Sequence, residues 1–330
     1  MKILLSLLAV LLLATAPHLC WARNVGFQQV AVSNGADRPL VVGVWYPTDA
    51  PAADTPLGTF TQAVAPGAPV QAGPRLPLVV MSHGNGGWYG EHYDTALELA
   101  RAGFVVAAVS HTGDTYDDQS RATRMVDRPA HMKRLIDYML TEWSGAGRLD
   151  PARIGAFGFS SGGFTVLVAA GGTPDLTLLA EHCRLHPGYY DCGVLKRAGA
   201  AGLPAAFAAG GPWTHDGRIR AAVIVAPALG FTFGKAGLAG VGLPIQLWRD
   251  LDDHVLPNPD YAEAVRVSLP APPETHLVEH ADHFDFLAPC TARLAASAPL
   301  ICRSEPGFDR AAFHTDFDRE VVRFLLERLP

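Results

Sequence analysis

Short apolar runs alternate with stretches of helical periodicity along most of this chain, and that alternation restricts its fold more than any other feature. Leu76–Met81, Phe104–Ser110, Arg153–Phe159, Ala221–Val225, Pro244–Trp248 and His276–Glu279 each read as a buried strand. The spacing between them predicts an amphipathic helix near 91–102, another within 120–143, a small-residue helix from Ser161 to about Ala170, and a terminal helix near 313–328. A strand–helix–strand succession demands a mainly parallel sheet, because the crossover carries its helix onto a sheet face. Helices then cover both faces. Val30–Val32 and Leu40–Tyr46 read as an opening antiparallel pair, split by the turn signal Asn34-Gly35. Residues 48–74, rich in Pro, Ala, Gly and Thr, read as a long surface loop. The alternation lapses over about 172–217, which reads as an insertion packed over the sheet edge. The expected organisation is one domain over 23–330 carrying that insertion.

Composition narrows the function classes. With 49% hydrophobic and 18% charged residues the chain can bury a sizeable core and is no disordered tail. A formal charge of −6 argues against nucleic acid as a partner. Lys2 followed by an apolar run through Ala14 is too short to span a bilayer, which takes about 20 residues. It reads as a signal peptide, with cleavage after Ala22 (Cys20-Trp21-Ala22), implying a secreted or periplasmic protein. Cleavage there removes Lys2 and Cys20. Four of the five cysteines remain, Cys183, Cys192, Cys290 and Cys302, an even set suited to disulfides in an oxidising compartment. Three pairings are possible, and the local ones, Cys183–Cys192 and Cys290–Cys302, are the simplest. His182, Cys183, His186 and Cys192 also cluster in sequence, but their spacing matches no common zinc framework, so no metal is expected.

Gly158-Phe159-Ser160-Ser161-Gly162 follows a hydrophobic strand and opens a small-residue helix. In that setting the glycines permit a tight turn that lifts the Ser160 hydroxyl above the sheet. A serine hydroxyl is a weak nucleophile and needs a base that an acid holds in place. The acid is sought after the strand Pro244–Trp248, where Asp250, Asp252 and Asp253 compete. Asp253 is best placed and Asp252 is second. The base is sought after the next strand, and His283 is preferred over His280. His83, His111 and His254 are read as structural. Charge developing on a carbonyl oxygen needs two aimed N–H groups. One is expected from Ser161. The other is expected from His83-Gly84-Asn85-Gly86-Gly87, through the Asn85 main chain, with Gly84 second.

These residues resemble those of the α/β-hydrolase superfamily, and within it the secreted dienelactone-hydrolase-like group that includes platelet-activating-factor acetylhydrolases. The resemblance rests on Val44-Trp45-Tyr46-Pro47, Ser82-His83-Gly84, His111 with Gly113-Asp114, the Ser160 elbow and the His283-Phe284 loop, spread over residues 25–328. It implies a mostly parallel central sheet with helices on both faces and a lid-like insertion, and it favours Asp253 and Asn85 in the roles above. Dienelactone hydrolases proper use a cysteine nucleophile where this chain has Ser160, so their substrate does not carry over.

The expected activity is hydrolysis of a carboxylic ester of a small or lipid-like molecule, without cofactor or metal, through an acyl-Ser160 intermediate. A cutin-type polyester depolymerase, a serine peptidase or amidase, and a non-catalytic binding protein are the other readings. Substrate choice is assigned to Trp88, Tyr89, Phe159 and Phe284, with Trp213, Phe231 and the insertion as further candidates. The insertion is read as a lid pinned by Cys183–Cys192.

Overall fold

A computed structural model describes residues 24–199 and 213–330. The expected signal peptide, with Cys20, and part of the expected insertion lie outside the described residues. Ten strands form one sheet: β1 (Asn24–Asn34), β2 (Asp37–Thr48), β3 (Ala53–Leu57), β4 (Phe60–Pro66), β5 (Leu76–Ser82), β6 (Val105–Ser110), β7 (Leu149–Phe159), β8 (Ile219–Val225), β9 (Ile245–Asp250) and β10 (Glu274–Val278). Their order is β10-β9-β8-β7-β5-β6-β2-β1-β4-β3. The six strands from β10 to β6 run parallel, as the alternation of apolar runs and helices requires. β2 is antiparallel to β6 and to β1, and the β1–β2 turn falls at Asn34-Gly35, where Gly35 takes a φ of 65°.

Each parallel strand serves two cores because its side chains alternate between faces. Leu78 and Val80 of β5 face one core, Val79 and Met81 the other, and β6 divides the same way. Helices α2 (Asp127–Thr141) and α3 (Ser161–Ala169) close the first core with Met132, Leu135, Ile136, Met139 and Phe164. Helix α1 (Tyr93–Arg101) and the C-terminal helix Arg310–Arg328 close the second with Leu99, Phe317, Val321 and Leu325. α3 is apolar all round and every one of its residues is buried, which suits a helix lying under further chain.

One expectation needs correction. Residues 48–74 are not one loop: Ala53–Leu57 and Phe60–Pro66 pair as an antiparallel hairpin, and β4 extends the sheet by pairing with β1. Alternating burial along Phe60–Pro66 (Phe60, Gln62 and Val64 inward) is the period-two signal, masked in sequence by the proline and alanine content. The expected insertion is helical where it is described, with α4 (Leu178–Leu185) and α5 (Tyr190–Arg197). Cys183–Cys192 joins these two helices, and Cys290–Cys302 closes a second local loop, so the local pairing is the one present. No helix among the described residues is long and apolar enough to cross a membrane.

The second core supplies a stability test. Phe317 is fully buried, with the rings of Phe157, Trp248, Phe286 and Phe313 around it. Phe317→Ala should cost about 3–5 kcal/mol in urea unfolding, whereas truncating exposed Tyr116 should stay within about 0.5 kcal/mol.

Candidate active site

Parallel strands bring their carboxyl ends to one edge, and the loops beyond them converge there. Ser160 follows β7 directly. Its backbone stands at φ 55°, ψ −120°, a conformation that costs a side-chain-bearing residue strain. Neighbouring backbone fixes it: Ser160 N–H donates to Val225 O at 2.9 Å, and Ala228 N–H donates to Ser160 O at 3.0 Å. The turn also needs its glycines. A Cβ on Gly158 would lie 2.1 Å from Gly162 O, and one on Gly162 would lie 1.9 Å from Ser82 O.

Ser160 Oγ is 3.0 Å from His283 Nε2, and His283 Nδ1 is 2.9 Å from Asp253 Oδ2. All three residues are buried. Asp253 Oδ1 accepts the N–H groups of Val255 (2.8 Å) and Leu256. Burial works to raise the Asp253 carboxyl. The His283 charge and hydrogen bond, with those two N–H groups, outweigh it and hold the acid below its ordinary value. Asp252 and His280, the second choices, point outward: side-chain exposures are 49% and 81%, and Asp252 Oδ2 accepts the His280 N–H at 3.1 Å.

The turn holding His283 is anchored twice. Asp282 accepts the N–H of His283 at 2.8 Å and that of His254 at 2.9 Å, tying His283 to the loop that carries Asp253. Asp285 caps the same short helix and pairs at 2.9 Å with Arg310 of the C-terminal helix.

Asn85 lies across the elbow. Its Nδ2 donates to Asp114 Oδ1 at 2.7 Å, and its Oδ1 accepts the Tyr190 hydroxyl at 2.9 Å. With its side chain held at both ends, Asn85 has its main-chain N–H fixed in direction. Among the described residues neither that N–H nor the Ser161 N–H meets a protein acceptor. Asp114 also accepts Gly86 N–H at 2.8 Å and pairs with Arg128, both partners fully buried. Arg128 donates on to Thr165 Oγ1 at 3.0 Å and to the His83 carbonyl.

His83, His111 and His131 pack beside this pair. His83 Nε2 accepts the His111 N–H at 3.0 Å, and the His111 and His131 rings meet at 3.2 Å. Burial, aided by the Arg128 charge, pushes His83 down to about 4 and His111 well below its ordinary value. His131 also falls to about 4, chiefly by burial. The cluster is therefore neutral near pH 7. Tyr190, Arg128 and Glu91 carry no local signal in the sequence. Only the Gly113-Asp114 pair, singled out as part of a resemblance, carried a signal.

Two cavities meet at Ser160. The larger, about 400 Å³, passes His283 and is walled by Phe60, Trp88, Phe159, Phe284, Leu287 and Ile301. One carboxylate, Glu91, lines it and accepts the Gly84 N–H at 2.9 Å. The smaller, about 60 Å³, lies on the Ser161 side and is bounded by Leu179, Tyr190, Leu229 and Leu256. Trp88, Phe159 and Phe284 thus line the larger cavity. Tyr89 does not line either cavity; its ring packs against Trp45 and its hydroxyl donates to Gln29 at 2.7 Å. Trp213 packs on Phe164, and Phe231 stacks on His182.

Strand order, elbow and loop positions are those of an α/β-hydrolase. A ferulic acid esterase from Streptomyces cinnamoneus superposes with a TM-score of 0.62 at 18% identity, covering 93% of this chain and 89% of its own. A dienelactone hydrolase-like promiscuous phosphotriesterase from metagenomic libraries superposes with a TM-score of 0.55 at 15% identity, covering 93% and 100%. Residues 46–135 match the family described as platelet-activating factor acetylhydrolase, isoform II. No curated protein matches the chain. The chain therefore has the α/β-hydrolase fold, and its similarities lie with the acetylhydrolase and dienelactone-hydrolase-like esterase group.

Asp250 is a second buried acid beside Asp253, and its Oδ2 has no hydrogen-bond partner among the described residues. Burial and then the Asp253 charge raise its carboxyl well above the ordinary value. A raised acid stabilises the fold less as pH climbs, because the unfolded chain releases the proton first. Asp250→Asn should therefore be more stable than the parent at pH 8. That gain should vanish near pH 4, as read from urea unfolding at both pH values.

Proposed function

We propose that this protein is an exported hydrolase of carboxylic esters, working through an acyl-Ser160 intermediate. The observation that carries the reading is the unbroken relay from Ser160 Oγ through His283 to Asp253, opening on cavities beside two N–H groups that meet no protein acceptor among the described residues. Ser160 Oγ attacks the ester carbonyl carbon as its proton passes to His283 Nε2. The carbonyl oxygen takes the negative charge and accepts the N–H groups of Asn85 and Ser161. His283 then protonates the leaving alcohol oxygen, the carbon–oxygen bond breaks, and the acyl group remains on Ser160. In the second half water attacks the acyl carbon as its proton passes to His283, the bond to Ser160 Oγ breaks as His283 returns that proton to Oγ, and the acid is released. Asp253 holds Nδ1 protonated and stabilises the imidazolium.

The likeness to a named ferulic acid esterase and to an acetylhydrolase family supports an ester over an amide. One domain over 23–330, with the insertion at about 172–217, belongs to the same proposal. So does export directed by residues 1–22, and two formed disulfides support passage through an oxidising compartment. A fluorophosphonate probe should label the wild-type protein at Ser160. Ser160→Ala should abolish labelling and cut turnover of p-nitrophenyl acetate by about 10⁴-fold or more. A Ser160→Ala protein that keeps the parent rate would overturn the mechanism.

The two cavities differ in role. His283 borders the larger one, so the alcohol that it protonates belongs there. The acyl group then enters the smaller one, about 60 Å³ beneath Leu179 and Tyr190, which admits a chain of only a few carbons. The p-nitrophenyl acetate or butyrate kcat/KM should exceed that of the octanoate by about tenfold or more, and Leu179→Ala should narrow the gap.

A further inference from the structure

The sequence cluster of His182, Cys183, His186 and Cys192 resolves in the structure into two unlike parts. Cys183 and Cys192 are bonded to each other and are lost as metal ligands. His182, in the last turn of α4, and His186, which caps that helix just beyond Leu185, remain, with their ring centroids 5.1 Å apart. Across from them stands Asp260, in the stretch between β9 and helix Ala262–Ser268. One ligand atom from each of the three, His182, His186 and Asp260, lies within 4.8 Å of the others. His186 Nε2 is 3.8 Å from Asp260 Oδ2. Donors bonded at about 2.0–2.2 Å to a tetrahedral ion sit roughly 3.3–3.6 Å apart, so small side-chain rotations close the set.

From this geometry we infer a site for a divalent transition metal of the zinc type, held by His182, His186 and Asp260. Two imidazoles and one carboxylate suit a borderline ion such as Zn²⁺ or Co²⁺, and poorly suit Ca²⁺ or Mg²⁺, which want oxygen. The surroundings are those of a fixed site. The His182 ring is buried, stacks on Phe231 with centroids 3.8 Å apart, and has Nε2 3.0 Å from the Tyr261 hydroxyl. Tyr261 in turn donates to Asp191 at 3.1 Å, so a carboxylate backs the histidine through the phenol, the kind of outer support that orients metal-binding imidazoles. His186 and Asp260 are partly exposed, which leaves a path for the ion.

Such an ion would be a clip. α4 belongs to the expected insertion, whereas Asp260 ends the segment that begins at Asp253, so the bound metal joins the cover of the smaller cavity to the loop bearing the candidate acid. The ion itself stays outside both cavities, since neither His186 nor Asp260 lines them. The inference is independent of the proposed chemistry at Ser160.

The test uses the full mature protein, stripped with a chelator and dialysed, then titrated with ZnCl₂ by calorimetry and with CoCl₂ by visible absorption. The site predicts one equivalent of Zn²⁺ bound at micromolar or lower Kd, Co²⁺ absorption bands of a four-coordinate centre, and a Tm increase of about 3 °C or more. His186→Ala and Asp260→Ala, both at partly exposed positions, should each weaken Zn²⁺ binding by about tenfold or more. They should keep the metal-free Tm and the esterase rate of the stripped parent. Absence of binding up to millimolar Zn²⁺ would overturn the assignment. Binding that is unchanged in both variants would overturn it equally.

Discussion

The backbone of Ser160 is the point on which the rest of the structure leans. A non-glycine residue at φ 55° persists only where its surroundings leave no alternative. Here those surroundings are β7 and β8 on one side, α3 on the other, and the Ser82 carbonyl pressed against the position that Gly162 leaves open. The geometry at Ser160 is thus a property of the sheet and not of the five-residue turn. It presents the hydroxyl at the carboxyl edge, where β5, β9 and β10 deliver Asn85, Asp253 and His283.

Much of the polar interior holds those three loops still. Arg128 and Asp114 form a fully buried ion pair, which contributes little net stability on average but leaves a costly unpaired charge if one partner is removed. Its value here is direction: it fixes Gly86, the His83 carbonyl and the Asn85 side chain at once. Asp282 does the same between the loops of Asp253 and His283, and Asp285 ties that turn to the C-terminal helix through Arg310. Tyr190 reaches Asn85 from α5, so the expected insertion touches the proposed oxyanion loop as well as the cavity wall. Three neutral histidines sit beside the ion pair, where any further positive charge would face Arg128.

The candidate site was legible in sequence wherever chemistry is tied to a local pattern. Ser160 stands in a strand–turn–helix context, and the loops after β9 and β10 are short, so Asp253 and His283 stood out among few competitors. Tyr89 shows the limit. It neighbours Trp88 in sequence, yet consecutive residues in this turn diverge, and Tyr89 packs on Trp45 while Trp88 faces the larger cavity. The β3–β4 hairpin was hidden for a related reason. Its composition is that of a loop, and only pairing with β1 gives its alternating burial a purpose.

Sequence alone determined the parallel sheet, the Ser160 elbow, the order of candidate residues and the local cysteine pairs. Each of these depends on residues close in the chain, whose periodicity or spacing is itself the physical constraint. Only the tertiary structure decided that Asp252 and His280 face solvent, that Asp250 lies buried beside Asp253, and that Tyr190 and Asp114 clamp Asn85. It alone brought Asp260 to His182 and His186 at the end of α4. Those outcomes depend on contacts between segments far apart in sequence, and burial, which sets both charge state and partner, exists only once the segments have packed.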